Sequence, residues 1–320
     1  MSPVPELVDR FRRDLAAIWP RASASDARLG LAISGGGDSL ALLLLAHTAL
    51  TGRIAAATVD HGLRPESAAE AAMVADLCGR LDVPHETLIV ALEAGNLQDR
   101  ARTARYAALA QWCGVNGLGA LATAHQLDDQ AETLVMRLNR GSGLAGLAGV
   151  RARGALDEAD LPVLRPLLGW RRTELAEIVA EAGIAPVSDP FNEDPRFDRV
   201  RIRQALAGAD WLDPAMLARS AALLGEAEAY VTERIDDAYA QWAVPGEDEV
   251  RLSPGQSDFE AVEIARRIIA EFGGNVSRSD IAALVTRLRR GENASLGGVL
   301  VRVVEGDWVF APEPARRTQA

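Results

Sequence analysis

The first 140 residues alternate short apolar runs, typical of buried strands, with longer segments whose apolar residues follow a helical period. Strands are predicted at 29–34, 54–59, 86–92 and 120–124, and helices at 39–50, 67–81, 97–115 and 127–138. Ser67, with Glu70 three residues on, predicts a capping box at the start of the second of these helices. Strands separated by helices favour an α/β fold with a doubly wound, mainly parallel sheet. Ligands of such sheets bind beyond the carboxyl ends of the strands.

The pattern is less regular after residue 141. Residues 161–168 are predicted to be extended, 171–181 helical and 188–195 a turn-rich loop. From about Leu206 the segments 214–242, 259–272 and 278–289 predict amphipathic helices, and 300–304 with 308–311 predict a hairpin. We therefore expect a catalytic domain over 1–205 and a smaller, mostly helical domain over 206–320 that ends in a β-hairpin.

A glycine-rich segment, Ser34-Gly35-Gly36-Gly37-Asp38-Ser39, lies where the first predicted strand ends and a helix begins. Glycines let the backbone approach an anion, and the amino end of a helix offers unpaired N–H groups with partial positive charge. Ser34 and Ser39 add hydroxyl donors. Because Asp38 repels phosphate, we assign it to a magnesium ion or to orienting the loop. The segment predicts a polyphosphate site, with a structural glycine turn as the alternative.

An acidic segment, residues 123–133, follows the fourth predicted strand. In a helix, His125, Asp129 and Glu132 fall on one face. Asp128, Asp129 and Glu132 bring three carboxylates into about one turn, which is repulsive unless a cation lies among them. The alternative is a solvated acidic first turn, which the helix dipole favours. Both segments follow strands of one predicted sheet, so we expect them to form a single site.

The amino-acid composition excludes several classes of function. The formal net charge of −11 argues weakly against a nucleic-acid partner. All 34 basic residues are arginine, which excludes a Walker loop and Schiff-base chemistry because both need a lysine. Cys78 and Cys113 lack metal-ligand spacing and are expected to be core thiols. No apolar run reaches the roughly 18 residues of a membrane span, and no signal-peptide pattern is present, so we expect a cytoplasmic protein with no membrane contact.

Five motifs occur in order between residues 28 and 205. They are the glycine-rich segment, Val59-Asp60-His61-Gly62-Leu63-Arg64, Ala101-Arg102-Thr103-Ala104-Arg105-Tyr106, the acidic segment, and Arg140-Gly141-Ser142-Gly143-Leu144-Ala145-Gly146-Leu147. Together they resemble the tRNA(Ile)-lysidine synthases, a family of PP-loop (N-type) ATP pyrophosphatases. Arg165-Pro166-Leu167-Leu168 and the arginine-rich segment 199–203 extend the resemblance. Gln126 stands where the family usually has a second histidine, and Val200 where it usually has an asparagine; glutamine still hydrogen-bonds, whereas valine does not.

The resemblance implies an ATP- and Mg²⁺-dependent ligase for tRNA(Ile) with a CAU anticodon. ATP would adenylate the C2 oxygen of the wobble cytidine and release pyrophosphate. The ε-amine of free L-lysine would then displace AMP. The resemblance implies that the segment 34–39 binds the β and γ phosphates, with Asp38 on Mg²⁺, and that Arg105 and His125 bind the α-phosphate. It also implies that Asp129 and Glu132 bind the lysine ammonium. Arg199 or Arg203 would bind the lysine carboxylate. The candidate catalytic residues are Asp38, Arg105, His125, Asp129 and Glu132.

Arginines also indicate how RNA reaches the site. Candidate phosphate contacts form two local runs: Arg196, Arg199, Arg201 and Arg203 in one, and Arg137, Arg140, Arg151 and Arg153 in the other. Solvated arginines or structural salt bridges are the alternative, and His61 remains open between a structural and a functional role. The acidic domain over 206–320 is expected to position tRNA by shape or to form a homodimer. Two other functions stay open: a PP-loop tRNA thiolase, which usually needs paired cysteines, and a nucleotide- or RNA-binding module without catalysis.

Overall fold

The structure is a computed structural model that describes residues 3–60, 62, 65–90, 97–156, 161–187, 194, 196–255 and 257–314. The chain divides into two compact units, residues 1–225 and 226–320. This division falls inside a long helix, Pro214–Trp242. The boundary expected at 205/206 instead lies near the end of a helix of the first unit.

One mainly parallel sheet organises the first unit. Its described strands are β1 (Leu29–Ala32), β2 (Ile54–Asp60), β3 (His85–Ile89), β4 (Ala120–Ala122), β5 (Arg153–Leu156) and β6 (Leu161–Leu164). They lie in the order β3-β2-β1-β4-β6-β5, and every pair is parallel except β5 with β6. The doubly wound, mainly parallel fold predicted from the sequence is therefore confirmed. The antiparallel edge strand β5 was not predicted.

Helices precede, connect and follow these strands. They are α1 (Pro5–Ile18), α2 (Gly37–Ala49), α3 (Pro65–Arg80), α4 (Leu97–Val115), α5 (Leu127–Asn139), α6 (Leu144–Leu147), α7 (Arg172–Glu181), α8 (Asp198–Ala207) and α9 (Pro214–Trp242). The start predicted for α3 was wrong. The helix begins at Pro65, a residue suited to a first turn. Ser67 therefore lies inside the helix, and its hydroxyl donates to Asp60 at 2.6 Å.

Both faces of the sheet are covered by apolar side chains. On one face Phe11 of α1, Leu42 of α2 and Leu175 of α7 join a single buried cluster. On the other face Leu109 and Trp112 of α4 pack against the strands. Helix α2 is apolar on every side and is correspondingly buried, as expected for a helix enclosed by its neighbours. Burial on both faces explains the continuous apolar runs of the central strands β1, β2 and β4.

The order of the strands creates a crevice beside β1. The chain passes from β1 outward through β2 and β3, then returns to the opposite side of β1 to form β4. Leu31 of β1 accordingly pairs with Ala56 on one side and Ala122 on the other. In open α/β sheets, ligands bind where the strand order reverses in this way. The loops after β1 and β4 flank this position, and they are the two segments singled out in the sequence.

The second unit combines the end of α9 with two helices and an antiparallel sheet. The helices are α10 (Asp258–Glu271) and α11 (Arg278–Arg289), and the strands are β7 (Ala243–Pro245), β8 (Val250–Leu252), β9 (Ala294–Leu296), β10 (Val299–Val304) and β11 (Asp307–Pro312). Ile268 and Phe310 are fully buried between the helices and the sheet. The predicted hairpin is β10–β11, but the strands β7, β8 and β9 were not predicted. In the described part of the chain, no helix has the length and apolar character needed to cross a bilayer.

Candidate active site

The loop after β1 is held closed by its two serines. Ser39 donates its hydroxyl to the carbonyl of Gly36 at 2.8 Å and accepts from the backbone N–H of Ser34 at 3.2 Å. The Ser34 hydroxyl donates to Ser39 Oγ at 3.3 Å. Gly36 is the N-cap of α2, which begins at Gly37. The amino end of a buried helix is thus presented at the end of β1, the arrangement that favours an anion.

Gly35 and Gly37 of this loop differ in their surroundings. Gly35 has a φ of +84°, and a Cβ there would lie 3.0 Å from Val187 Cγ2. Its carbonyl also accepts a hydrogen bond from the Val187 N–H at 2.9 Å. In contrast, a Cβ on Gly37 would meet nothing within 4 Å. Gly35 is therefore required by the backbone and its packing, whereas a side chain at Gly37 would enter open space.

A cavity of about 650 Å³ opens at the reversal of strand order. Its lining includes seven of the predicted site residues: Ser34, Gly36, Asp38, Arg105, His125, Asp129 and Arg199. The predicted residues outside the lining are Gly35, Gly37, Ser39, Glu132 and Arg203. The two segments predicted to form one site do meet in this cavity.

Asp38 lies in an environment that disfavours its charge. Burial, followed by the nearby charge of Asp129, raises the pKa of Asp38 to about 6. Two carboxylates forced together in this way fit a divalent cation. Among the described residues, no three carboxylate, histidine or cysteine side chains converge on a metal site.

Gln126 fixes the first turn of α5. Its side-chain oxygen accepts from the backbone N–H of Asp129 at 3.3 Å, and Asp129 accepts from the Gln126 N–H at 3.2 Å. This reciprocal capping box satisfies orphan donors of the helix. The expectation that glutamine still hydrogen-bonds at this position is confirmed. The capping box also holds Asp129 at the edge of the cavity.

Glu132 is the centre of an ion-pair cluster. Its side chain is 2% exposed, and both oxygens accept hydrogen bonds from arginines: Oε1 from Arg172 at 3.0 Å and Arg203 at 2.9 Å, and Oε2 from Arg199 at 2.9 Å. Burial opposes its ionisation, but the hydrogen bonds from Arg203 and Arg199 outweigh burial and lower the pKa of Glu132. Asp129 joins the cluster through Arg199 at 2.7 Å.

Sequence reasoning missed two features of this cluster. Arg172 was not singled out, yet its Nη2 contacts both Asp129 and Glu132. Helix α8 was not predicted, although a helix explains why Arg199 and Arg203, four residues apart, reach the same carboxylate. The signal available in the sequence was the i, i+4 spacing of those two arginines.

His125 lines the same cavity, close to several arginines. Burial, followed by the charges of Arg165 and Arg199, lowers the pKa of His125 to about 3, so the imidazole is neutral at pH 7. Its Nδ1 lies 3.0 Å from the hydroxyl of Thr123. Arg105 contributes to the same field, and its guanidinium lies 5.4 Å from the centre of the Tyr106 ring. A neutral imidazole among cations suits an anionic ligand.

Several predicted RNA contacts are engaged within the protein. Arg196 pairs with Asp194, whereas Arg140 and Arg201 both pair with Asp198. Other arginines of the two runs have different partners: Arg137 donates to the carbonyls of Gly146 and Gly149. Val200, where the family usually has asparagine, is buried in α8. The prediction for His61 lies outside the described residues.

The fold and this site define a class of protein. A family model described as a PP-loop domain matches residues 8–209. Among solved structures, the U34-tRNA thiolase NcsA from Methanococcus maripaludis has a TM-score of 0.56 over 71% of this chain and 78% of its own, with 15% sequence identity. At that identity the likeness concerns the fold alone.

Curated relatives give the particular family. A tRNA(Ile)-lysidine synthase of Novosphingobium aromaticivorans is 45% identical over 97% of this chain and 94% of its own length. One from Zymomonas mobilis is 39% identical over 92% of each chain. The chain belongs to the tRNA(Ile)-lysidine synthase family, which confirms the resemblance seen in the motifs.

Proposed function

We propose that this chain joins L-lysine to C2 of the wobble cytidine of tRNA(Ile) with a CAU anticodon, and converts ATP to AMP and pyrophosphate. One observation carries the proposal: a single cavity brings the phosphate-binding loop, a neutral histidine and Asp129 together. Membership of the family supports the same reading.

The loop side of the cavity suits ATP. The amino end of α2 and the serine hydroxyls would hold the β and γ phosphates, and Asp38 would hold Mg²⁺ bound to them. The cation would offset the repulsion between Asp38 and Asp129. Arg105 and His125 also line the cavity and would contact the α-phosphate, where negative charge grows as the cytidine oxygen attacks. A histidine with a pKa of about 3 contributes a hydrogen bond there without competing for a proton.

The acidic side suits the amine of lysine. An amine with a pKa of about 10.4 is charged at pH 7, and forming the neutral nucleophile costs roughly 4 to 5 kcal/mol. Asp129 lines the cavity, where it would bind the ammonium and then accept its proton. Glu132 lies behind it and supplies a second negative charge. Arg199 also lines the cavity, so its guanidinium suits the lysine carboxylate in a two-pronged contact.

Binding of the RNA rests on charge close to the cavity. Arg102 and Arg105 form no ion pair with another described residue, and both lie over the ring of Tyr106. Because Arg105 is assigned to the α-phosphate, Arg102 and the arginine runs are the candidate contacts for RNA phosphates. We assign the second unit to positioning the tRNA. Binding through a few such contacts should weaken steeply as salt rises.

Lysine incorporation tests the proposal. Purified protein is mixed with Mg²⁺, ATP, radiolabelled lysine and tRNA(Ile) with a CAU anticodon, and separately with tRNA(Met), which shares that anticodon. The proposal expects label in tRNA(Ile) only, with one AMP formed for each lysine. Retained ATP binding without incorporation would support the module without catalysis. A thiolase is disfavoured because Cys78 and Cys113 are both buried, and burial raises the pKa of each thiol to about 12.

A further inference from the structure

Three arginines bind one pair of carboxylates, and they come from two parts of the fold. Arg172 is the first residue of α7, and its Nη2 lies 3.3 Å from Asp129 Oδ1 and 3.0 Å from Glu132 Oε1. Arg199, on α8, donates from Nε to Glu132 and from Nη2 to Asp129. Arg203, one turn further on, reaches Glu132 alone among the described carboxylates.

The start of α7 is fixed by the core on one side. Trp170 is fully buried and donates from Nε1 to Asp14 at 2.8 Å. Its carbonyl accepts from the backbone N–H of Leu127, the first residue of α5, at 2.9 Å. Glu174 accepts from the backbone N–H of Arg171 at 2.7 Å, which closes the first turn of α7. The amino ends of α5 and α7 are therefore joined through the backbone.

Arg172 completes this junction. Its backbone N–H donates to Asp128 at 2.8 Å, while its side chain binds Asp129 and Glu132. One residue thus contacts all three carboxylates of the acidic helix. It does not line the cavity, whereas Arg199 does, with 44% of its side chain exposed. Arg199 is placed to reach a substrate, and Arg172 is placed to act through the carboxylates.

We propose that Arg172 is a positioning residue of the lysine site, which holds Asp129 and Glu132 in place while Arg199 exchanges a protein carboxylate for that of the substrate. The inference rests on the proposed function, because it assumes that lysine binds at the acidic side. The two electrostatic contacts of free lysine then replace contacts that already exist: its carboxylate takes the guanidinium of Arg199, and its ammonium takes the vacated oxygens. The fixed guanidinium of Arg172 prevents the carboxylates from separating during this exchange.

The test compares three variants of the full chain. Arg172→Gln removes the charge, and Arg172→Lys keeps the charge but cannot reproduce the planar guanidinium. Arg171→Gln is the matched control, because Arg171 pairs with Asp128 and Asp213 and not with the other two acids. Two quantities are measured: the KM for lysine at saturating ATP and tRNA, and the rate of pyrophosphate release from ATP and tRNA without lysine.

We expect Arg172→Gln to raise the KM for lysine at least tenfold while pyrophosphate release stays within threefold. Arg172→Lys should raise the KM by a smaller factor of three or more, and the control should change neither quantity by more than twofold. A lysine KM within twofold of the parent, or an equal fall in pyrophosphate release, overturns the inference. If thermal melting shows that Arg172→Gln does not fold, the KM of Arg172→Lys decides by the same criteria. Failure of the proposed function is distinguishable, because the unsubstituted chain would then form no lysidine at all.

Discussion

Replacing Asp38 by asparagine should stabilise the ligand-free protein while it abolishes activity. The pKa of Asp38 is raised from 3.8 to about 6 by burial and by Asp129. This difference corresponds to roughly 3 kcal/mol that the ionised carboxylate costs the folded state above pH 6. The substitution also loses a favourable charge in the first turn of α2, worth roughly 0.3 to 1 kcal/mol. The net gain expected at pH 7.5 is about 2 kcal/mol, or roughly 4 to 8 °C in Tm for a unit of this size.

The stabilisation expected for Asp38→Asn depends on pH. Because the folded pKa lies above the unfolded one, the cost is complete above pH 6 and disappears as the pH falls below about 4. Thermal unfolding of parent and Asp38→Asn is measured at pH 7.5 and pH 4.5, without nucleotide. The gain should be largely lost at pH 4.5. Equal gains at both pH values, or a loss of stability at pH 7.5, would refute the reasoning. Addition of MgATP should raise the Tm of the parent more than that of the variant.

Three further predictions concern the glycines of the loop, Glu132 and His125. Gly35→Ala should lower the free energy of unfolding by about 1 to 2 kcal/mol, because φ is +84° and Val187 is close. Gly37→Ala should keep the stability of the parent but bind MgATP more weakly. Unchanged ATP binding by Gly37→Ala contradicts the phosphate assignment. Glu132→Gln should lower the free energy of unfolding by about 2 kcal/mol. The loss is smaller than for a wholly buried pair because the arginines are partly exposed. A loss of less than about 0.5 kcal/mol in urea denaturation argues against a stabilising role of the cluster. Because the pKa of His125 is about 3 when folded, stability should fall by roughly 2 to 3 kcal/mol from pH 7 to 4.5 through this residue, and His125→Gln should flatten that slope in urea titrations.

The sequence predicted the parts of the fold that depend on period and on local chemistry. The helices 97–115, 214–242 and 278–289 were predicted with the bounds that the structure shows, because each has a sustained apolar period. The glycine-rich loop was recognisable because phosphate binding requires a particular backbone and particular donors. Strands β1, β2 and β4, three of the five parallel strands, were found from their continuous apolar runs, which burial on both faces demands.

What the sequence did not reveal depends on contacts between distant residues. Strands β7, β8 and β9 have three residues each, too few for any period to show. Half of the residues of helix α8 are polar, and its arginines resemble a solvated surface run until the buried carboxylate of Glu132 is seen to pair with them. Arg172 lies 40 positions from Glu132, and no local pattern links the two. The acidic turn was read correctly as needing cations, but the described cations are arginines of the protein itself.

In the proposed reaction the cytidine, and not the lysine, is adenylated in this cavity. This step is tested most directly with tRNA(Ile) that carries ¹⁸O at C2 of the wobble cytidine, incubated with the protein, MgATP and unlabelled lysine. The account predicts that the AMP released contains one ¹⁸O in its phosphate, because the oxygen that attacks the α-phosphate leaves with AMP when the amine displaces it. Unlabelled AMP formed together with lysine incorporation would contradict the account.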